Sequence, residues 1–556
     1  MAALNTVPLQ SPGSLGLNTE DGDSVLDHRF STVAFNCVLS RNGRLESRKG
    51  WSKINSTAAT GAPTLDVVHS YITDSGTEIL VSAGGSKLWT GDTTLTDSTG
   101  TVSVTADYWQ FQNTQGKVIG AQSLHEPIWW DGSGTFEYLV DQNPAWLATT
   151  AKSLEDLNVP TTRNGYYYEC TTAGTTGGSE PTWSTTIGGT TVDGSVTWTT
   201  REIPKSNVCL TAFGRNWLAS ADQSTVHYSD LLIPHAFSGG SSGSIDLNTV
   251  WTSSNDTIVA LAVHNNNLVI FCTNSVVIYS GADNIGNLAL VEVVDNIGCI
   301  ARDSVQAVGD DLLYLSGEGV RTLSRTVLQD NMPLGTLSSN VRTEIIGTSQ
   351  QQTAKEAIQS AYNETEGLYL LGFPLVGQVY AFDMRNFAQG QVVKPFIWDS
   401  IDPSGMTARL NGDLIFGFAG GFLGKYNTYL DNTSTYIMKY RSGWLDAGTN
   451  GMEMIWKKMR VYLYTEATIT STGSWGFDFE TAERTDVKVS TATGLSEYNT
   501  AEYNIAEYGS GVTATELSFP IAGTGELVRI GYQVTVNSNK VGLNKITLQA
   551  KRGKVN

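Results

Sequence analysis

Few residues in this chain have types and spacing that bear on chemistry. Gly239-Gly240-Ser241-Ser242-Gly243 matches the G-x-S-x-G pattern of an activated serine. That pattern works only where a strand ends and a helix begins, because the sharp turn between them strains the serine outward. Here it lies in SGGSSGS, a loop composition, and no nucleophile is assigned. His227 and His235 lie near Asp222 and Asp230, residue types suited to a metal site or an acid–base pair. No H-E-x-x-H or comparable ligand spacing accompanies them, and Tyr228 beside His227 is a rare ligand. With only 6 histidines scattered through the chain, they read as structural or surface residues. The acid pairs Glu20-Asp21 and Asp310-Asp311 read as solvated turn residues, and Asp21-Gly22-Asp23 is too short for a calcium loop. The residues point to no catalytic group, no metal and no cofactor, and so to a protein that is not an enzyme.

A second group of residues bears on binding. Residues 160–203 are rich in Thr and Gly and carry Tyr166, Tyr168, Trp183 and Trp198. Exposed aromatic faces stack on sugar rings, so these four are candidate glycan or partner contacts. The competing reading makes them the core of a module too small to have another one. Within the module, Asp193-Gly194-Ser195-Val196-Thr197-Trp198 resembles an Asp-box turn of sialidases, but Ser195 stands where a glycine is expected and no second copy occurs. A carboxylate pair for glycoside cleavage is not legible among the 54 acids.

Composition narrows the class. The 556 residues are 16% charged and 40% hydrophobic, with 57 Gly, 14 Trp, 22 Tyr and 17 Phe. Polarity carried by Ser, Thr, Asn and Gly suits strands and turns, and the aromatic content argues against disorder. The net charge of −19 opposes tight DNA binding, which needs a basic face. No apolar run is long enough to span a membrane as a helix. Cys37, Cys170, Cys209, Cys272 and Cys299 are scattered, odd in number and without a C-x-x-C, so they read as reduced thiols of a protein made in a cytoplasm.

The elements that must position these residues follow a repeated grammar. A short apolar strand is followed by a polar or Gly turn and then by a second strand that often carries an aromatic. Seven stretches fit, beginning at Glu78, Lys117, Asn216, Asn267, Asp311, Gly367 and Asp413. Once an insertion of about 55 residues is set aside, they recur roughly every 45 residues, the period of four-stranded propeller blades. Near-continuous apolar runs such as Leu268-Val269-Ile270-Phe271 suit sheets covered on both faces. The expectation is an all-β chain: a β-propeller of six to eight blades over 61–150 and 206–430, a small β module inserted at 151–205, and a C-terminal antiparallel β-sandwich or platform at 431–556. Two or three ordinary β-sandwiches are the competing architecture. Residues 1–60 read as an arm lying on its own chain or on a neighbour, with Arg44, Arg48 and Trp51 as candidate inter-subunit or adaptor contacts. QQTAKEAIQSA at 351–361 reads as a helix. Tyr498, Tyr503 and Tyr508, spaced five apart, read as an aromatic-bearing loop and as further contact residues.

Three regions carry a resemblance. The arm has Gly43, Arg44, Leu45, Arg48 and Gly50. An apolar hairpin, TIVALAVHNNNLVIFCTNSVVIYSG, is followed by a turn with Asp295, Gly298, Cys299, Ala301 and Ser304, and then by DLLYLSGEGV. The insertion reads CTTAGTT, EPTW and then DGSVTW. Together they resemble the tail nozzle, or tail tubular protein B, family of short-tailed bacteriophages. The resemblance implies a structural virion protein of the tail, assembled in the host cytoplasm. It implies a ring of copies, typically a homohexamer, bound to an adaptor ring protein and to tail fibre or spike proteins, through which viral DNA passes without tight binding. The other reading is a glycan-binding or glycan-degrading propeller of a phage tail or secreted protein. A cellular scaffold propeller is disfavoured by the lack of WD or kelch signatures.

Overall fold

The computed structural model describes residues 5–105, 108–251, 256–329, 336–385, 393–446, 452–465, 468–490 and 513–553. Seven small antiparallel sheets follow one another along the chain. Blade one is built from Val67–Ile72, Glu78–Gly84, Lys87–Thr90 and Thr96–Asp97, and blade two from Gln110–Thr114, Lys117–Ala121, Ile128–Trp130 and Glu137–Tyr138. Blade three has Val208–Ala212, Arg215–Ala219, Thr225–Tyr228 and Gly243–Asp246. Blade four has Ile258–His264, Asn267–Cys272, Ser275–Ser280 and Ala289–Asp295. Blade five has three strands, Gln306–Val308, Asp311–Ser316 and Gly319–Thr322, followed by the helix Leu323–Gln329. Blade six has Gln359–Asn363, Leu368–Phe373, Gln378–Asp383 and Lys394–Trp398. Blade seven has Gly405–Ala408, Leu414–Phe418 and Phe422–Thr428 and takes its outer strand, Gly50–Lys53, from the N-terminal region.

Residues in or beside the first strand of every blade line one axial cavity: Val67, Gln110, Leu210, Leu261, Gln306, Gln359 and Met406. The fold is a seven-bladed β-propeller. Each of the seven sequence stretches forms the second and third strands of a blade. Those strands have sheet on either side and neighbouring blades on both faces, so they are apolar at successive positions: Leu268 to Cys272 are all buried. Large rings fill the clefts between blades. Trp109, Phe111 and Trp130 pack with Tyr71 between blades one and two, Phe271 with Tyr314 between four and five, and Trp89 with Ile415 and Leu423 between one and seven. A side chain of this size buries about 150–250 Å², worth about 4–6 kcal/mol at ~25 cal/mol per Å².

The arm lies on its own chain. Asn5–Gln10 pairs antiparallel with Val541–Arg552, and the hairpin Cys37–Leu39/Leu45–Ser47 extends the same sheet. That sheet also holds Met454–Thr465, Thr513–Phe519 and Gly523–Gly525. Facing it are Tyr436–Arg441, Leu527–Val536, Ile469–Phe477 and Arg484–Ser490, and together the two layers make a sandwich. Val33–Phe35 then joins the lobes. It pairs parallel to the outer strand of blade six, Ile397 opposite Phe35, and antiparallel to Tyr436–Arg441. Blade six and one layer of the sandwich are therefore a single ten-stranded sheet. Gly50 is required at the start of the closing strand, because a Cβ there would overlap the Leu430 carbonyl, which accepts from Trp51 N at 2.9 Å.

One element differs from expectation. The helix lies at Arg342–Gln351, and only a single 3-10 turn, Lys355–Ala357, falls inside 351–361. Gln359–Asn363 is the axial strand of blade six, paired with Leu368–Phe373. Helix propensity in QQTAKEAIQSA amounts to tenths of a kcal/mol per residue, and a full ladder of strand pairing plus burial overrides it.

Candidate functional site

The motifs with catalytic overtones resolve into loop scaffolding. Ser241 Oγ donates to Asp230 Oδ1 at 2.7 Å and accepts from Arg215 Nη2 at 2.7 Å, so a carboxylate and a guanidinium hold it. His227 stands in the third strand of blade three and His235 in the loop that follows; burial lowers the pKa of both. Glu20 Oε1 accepts from Thr343 N at 2.6 Å, at the first turn of the Arg342–Gln351 helix. Asp311 Oδ1 accepts from Ser324 N at 3.0 Å, at the start of the Leu323–Gln329 helix. All five cysteines are buried, and burial pushes the Cys299 thiol up to about 11. Among the described residues, no three His, Cys, Asp or Glu side chains are placed to hold a metal, and no helix is long and apolar enough to cross a membrane.

The aromatic quartet is the interior of its module. Tyr168 and Trp198 are fully buried; Tyr166 and Trp183 are half-buried and pack against them, with the Trp183 ring 4.2 Å from that of Tyr168. Tyr168 and Trp198 are therefore core residues and not sugar platforms. The module's other buried apolar residues, Val159, Tyr167 and Ile203, pack instead against Ile119, Leu139 and Leu218 of the neighbouring blades. Asp193 is the polar centre of the D-G-x-V-T-W turn. It is buried and accepts from Trp146 Nε1 at 2.8 Å, Trp198 Nε1 at 3.1 Å and Gly177 N at 2.7 Å. Besides the apolar packing of Val159, Tyr167 and Ile203 on the blades, polar contacts tie the module down. Arg163 reaches Glu126 at 2.5 Å and Asp141 at 3.0 Å beside blade two, and Glu155 accepts from Gly240 N at 2.9 Å in blade three. Burial pushes the Glu126 and Asp141 carboxyls up, against the pull of Arg163.

The proposed contact residues of the arm have internal partners. Arg48 is completely buried, which corrects its reading as a contact with another chain. Arg44 lies 4.4 Å above the Tyr464 ring, with Nη2 3.7 Å from Glu46, and its side chain is 16% exposed. Trp51 stacks on Phe418 at 3.8 Å and is half-buried. Tyr498, Tyr503 and Tyr508 lie outside the described residues.

The axis holds the charged group that sequence reading passed over. Arg302 and Asp303 fall in the 3-10 turn Arg302–Ser304, inside the very turn that carries Gly298, Cys299, Ala301 and Ser304. A Cβ at Gly298 would overlap the carbonyl oxygens of Cys272 and Thr273, so only glycine lets the turn press against blade four. Ser304 Oγ donates to Ala301 O at 2.6 Å and accepts from Leu315 N. The turn so held sends Arg302 across the axis. Its Nη1 donates to Asn207 O at 2.6 Å before blade three, and its Nη2 to Tyr108 O at 3.0 Å before blade two. Asp303 pairs with Arg302 at 2.6 Å, while its backbone oxygen accepts from Ser360 Oγ and its carboxylate from Gln359 Nε2, both in blade six. One turn of blade five thus ties four blades together. The detectable signal was an adjacent Arg-Asp pair in an apolar stretch of a sparsely charged chain.

The axial cavity above this pin measures about 390 Å³. His69 lines it, with Nε2 3.1 Å from Asn113 Oδ1. Asn113 donates its amide to Ser70 O at 3.0 Å, so the oxygen faces the ring and Nε2 carries the proton. Burial holds the His69 pKa down to about 4, against about 6.5 in an unfolded chain. The unfolded state takes up the proton first on acidification. The contribution of His69 is therefore constant above pH 7, falls between about pH 6.5 and pH 4, and is flat below. The expected loss is about 3 kcal/mol. Urea midpoints of the wild type and His69→Gln from pH 4 to 7 check this: the variant is expected to have the shallower acid slope.

No protein-family model matches the chain, and no curated protein matches it. Solved structures similar to it in chain course include the Pan2 WD40 domain of Neurospora crassa, at 9% identity, a TM-score of 0.34 and coverage of 68% of this chain and 96% of that one. The WD40 β-propeller domain of Doa1 gives 8%, 0.34, 68% and 97%, and streptogramin B lyase gives 9%, 0.27, 68% and 98%. The propeller itself is defined by the seven sheets and their shared axis.

Proposed function

We propose that this chain is a structural subunit of a virion, the tail nozzle of a short-tailed bacteriophage. Copies form a closed ring, six in the family it resembles, against the adaptor ring protein and beside fibre or spike proteins. The observation that carries the reading is the fusion of propeller and sandwich. The ten-stranded sheet passes from one lobe into the other, and the N-terminal region both extends the sandwich and closes blade seven. A subunit whose two lobes share one sheet suits a ring that must keep a fixed bore, and head-to-tail contacts between distinct surfaces close such rings. The conduit in this reading runs between copies. Each propeller's own axis is crossed by Arg302 and Asp303 and has only the volume of a small-molecule pocket. The charge of −19 per chain suits a wall that lets DNA slide, since basic walls gain affinity by counterion release.

Light scattering after size exclusion, with negative-stain images, tests the reading on the full chain alone and mixed with the adaptor ring protein. The expected result is closed rings of about six subunits, formed alone or on the adaptor. A chain that stays a single subunit at every concentration and ignores the adaptor overturns it.

A further inference from the structure

The cleft between the inserted module and blade three shares no lining residue with the axial cavity and has the features of a binding site. Its volume is about 510 Å³, within the range of small-ligand pockets, and such pockets favour the seams between domains. One wall is the end of the module's strand Val196–Arg201 with the residues that follow it. The other is the turn after Arg215–Ala219, the strand Thr225–Tyr228 and the loop before Gly243–Asp246.

Donors and acceptors alternate around it. Arg201 is fixed by its Nε, which donates to Glu169 at 2.7 Å, while no described hydrogen bond engages its terminal nitrogens. Lys205 and Glu202 are exposed at the rim. Asp222 lines the cleft with its carboxylate, whose Oδ1 accepts from Ser220 Oγ and from Ser224 N at 3.2 Å. His227, which burial keeps neutral near pH 7, adds a group that both donates and accepts. Phe237, half-buried, supplies an apolar face. Two cations stand against two anions, so the cleft selects neither a polyanion nor a cation. It matches a neutral ligand whose every polar group both donates and accepts and which also has apolar C–H faces. That is the chemistry of a sugar.

We propose that this cleft binds a neutral saccharide of two or three residues. Sugar recognition therefore belongs to the seam between module and propeller, not to the aromatic quartet that forms the module's core. The inference does not depend on the ring reading, because ring assembly and sugar binding are separate measurements.

The test is saturation-transfer NMR and calorimetry on the full chain with maltotriose, mannotriose and triacetylchitotriose, and with trigalacturonate and inorganic phosphate as charged controls. At least one neutral trisaccharide is expected to bind with Kd on the order of 0.1–1 mM. Glu202→Gln and Asp222→Asn are each expected to weaken it about tenfold, and Phe237→Ala to abolish it. Glu202 is exposed, so its variant keeps the fold and stays informative if Phe237→Ala does not fold. The proposal is overturned if no neutral trisaccharide binds, if binding survives both carboxylate variants unchanged, or if trigalacturonate or phosphate binds more tightly than every neutral probe.

Discussion

Arg48→Met is expected to destabilise the protein by about 3–5 kcal/mol, seen as a lower urea midpoint with an unchanged slope. Arg48 has no exposed surface, and all five of its N–H donors are used. Nε donates to Asn36 Oδ1 at 3.0 Å. Nη1 donates to Lys49 O and Asp431 Oδ1, both at 2.8 Å. Nη2 donates to Ser400 Oγ at 2.9 Å and Asp431 Oδ2 at 2.7 Å. The guanidinium also lies 4.2 Å over the Tyr436 ring. Methionine fills much of the same volume but strands the Asp431 carboxylate in a site where only 7% of that side chain meets solvent. The cost comes chiefly from that abandoned charge, so Arg48→Met combined with Asp431→Leu should recover most of the loss. A single variant within 1 kcal/mol of wild type would show that the seam between blades six and seven and the sandwich does not need the pair. Hydrogen exchange adds a spatial check. Protection of Gly50–Lys53 should fall first, because Trp51 O accepts from Asn432 N, next to Asp431.

Arg302→Leu should have an effect of the same order, about 3–5 kcal/mol, but at the propeller axis. The substitution leaves the Asp303 carboxylate with Gln359 Nε2 but without its cation, and removes the donors to Asn207 O and Tyr108 O. Arg302→Lys keeps the charge but not the fork that serves two blades at once, so an intermediate loss is expected. Thermal unfolding followed by tryptophan fluorescence reads this variant, since Trp109 follows the Tyr108 carbonyl and Trp217 lies in blade three. Faster exchange at 108–112 and 207–210, with Gly50–Lys53 unchanged, distinguishes the axial pin from the Arg48 seam. Equal loosening of both regions would mean that the axis is held by blade packing and not by this residue.

How much could be read in advance depended on how local the cause was. Two adjacent strands with sheet on both sides must be apolar at successive positions, whatever the rest of the chain does, and so the seven hairpins stand out in the sequence. The first and fourth strands of a blade have one edge at the axis or at the rim. They carry mixed residues such as Gln110-Phe111-Gln112 or Thr96-Asp97, and they blend into the turns. The misplaced helix has the same origin: Gln359–Asn363 is a strand because Leu368–Phe373 is beside it, not because of its own residues. The Trp and Tyr residues of the inserted module were visible as a group, but whether they faced water depended on how a small sheet folds over them.

Seven hairpins, an insertion, a change of pattern near residue 430 and an acidic, sparsely charged surface are properties of the amino-acid order itself, since each arises from neighbours a few residues apart. Only the tertiary structure decided that Gly50–Lys53 closes blade seven, that Arg48 lies 383 positions from its carboxylate, that Arg302 spans the axis, and that a cleft opens beneath the module. Those features join segments remote in the chain, and their energy depends on burial and geometry that no local pattern of residues encodes.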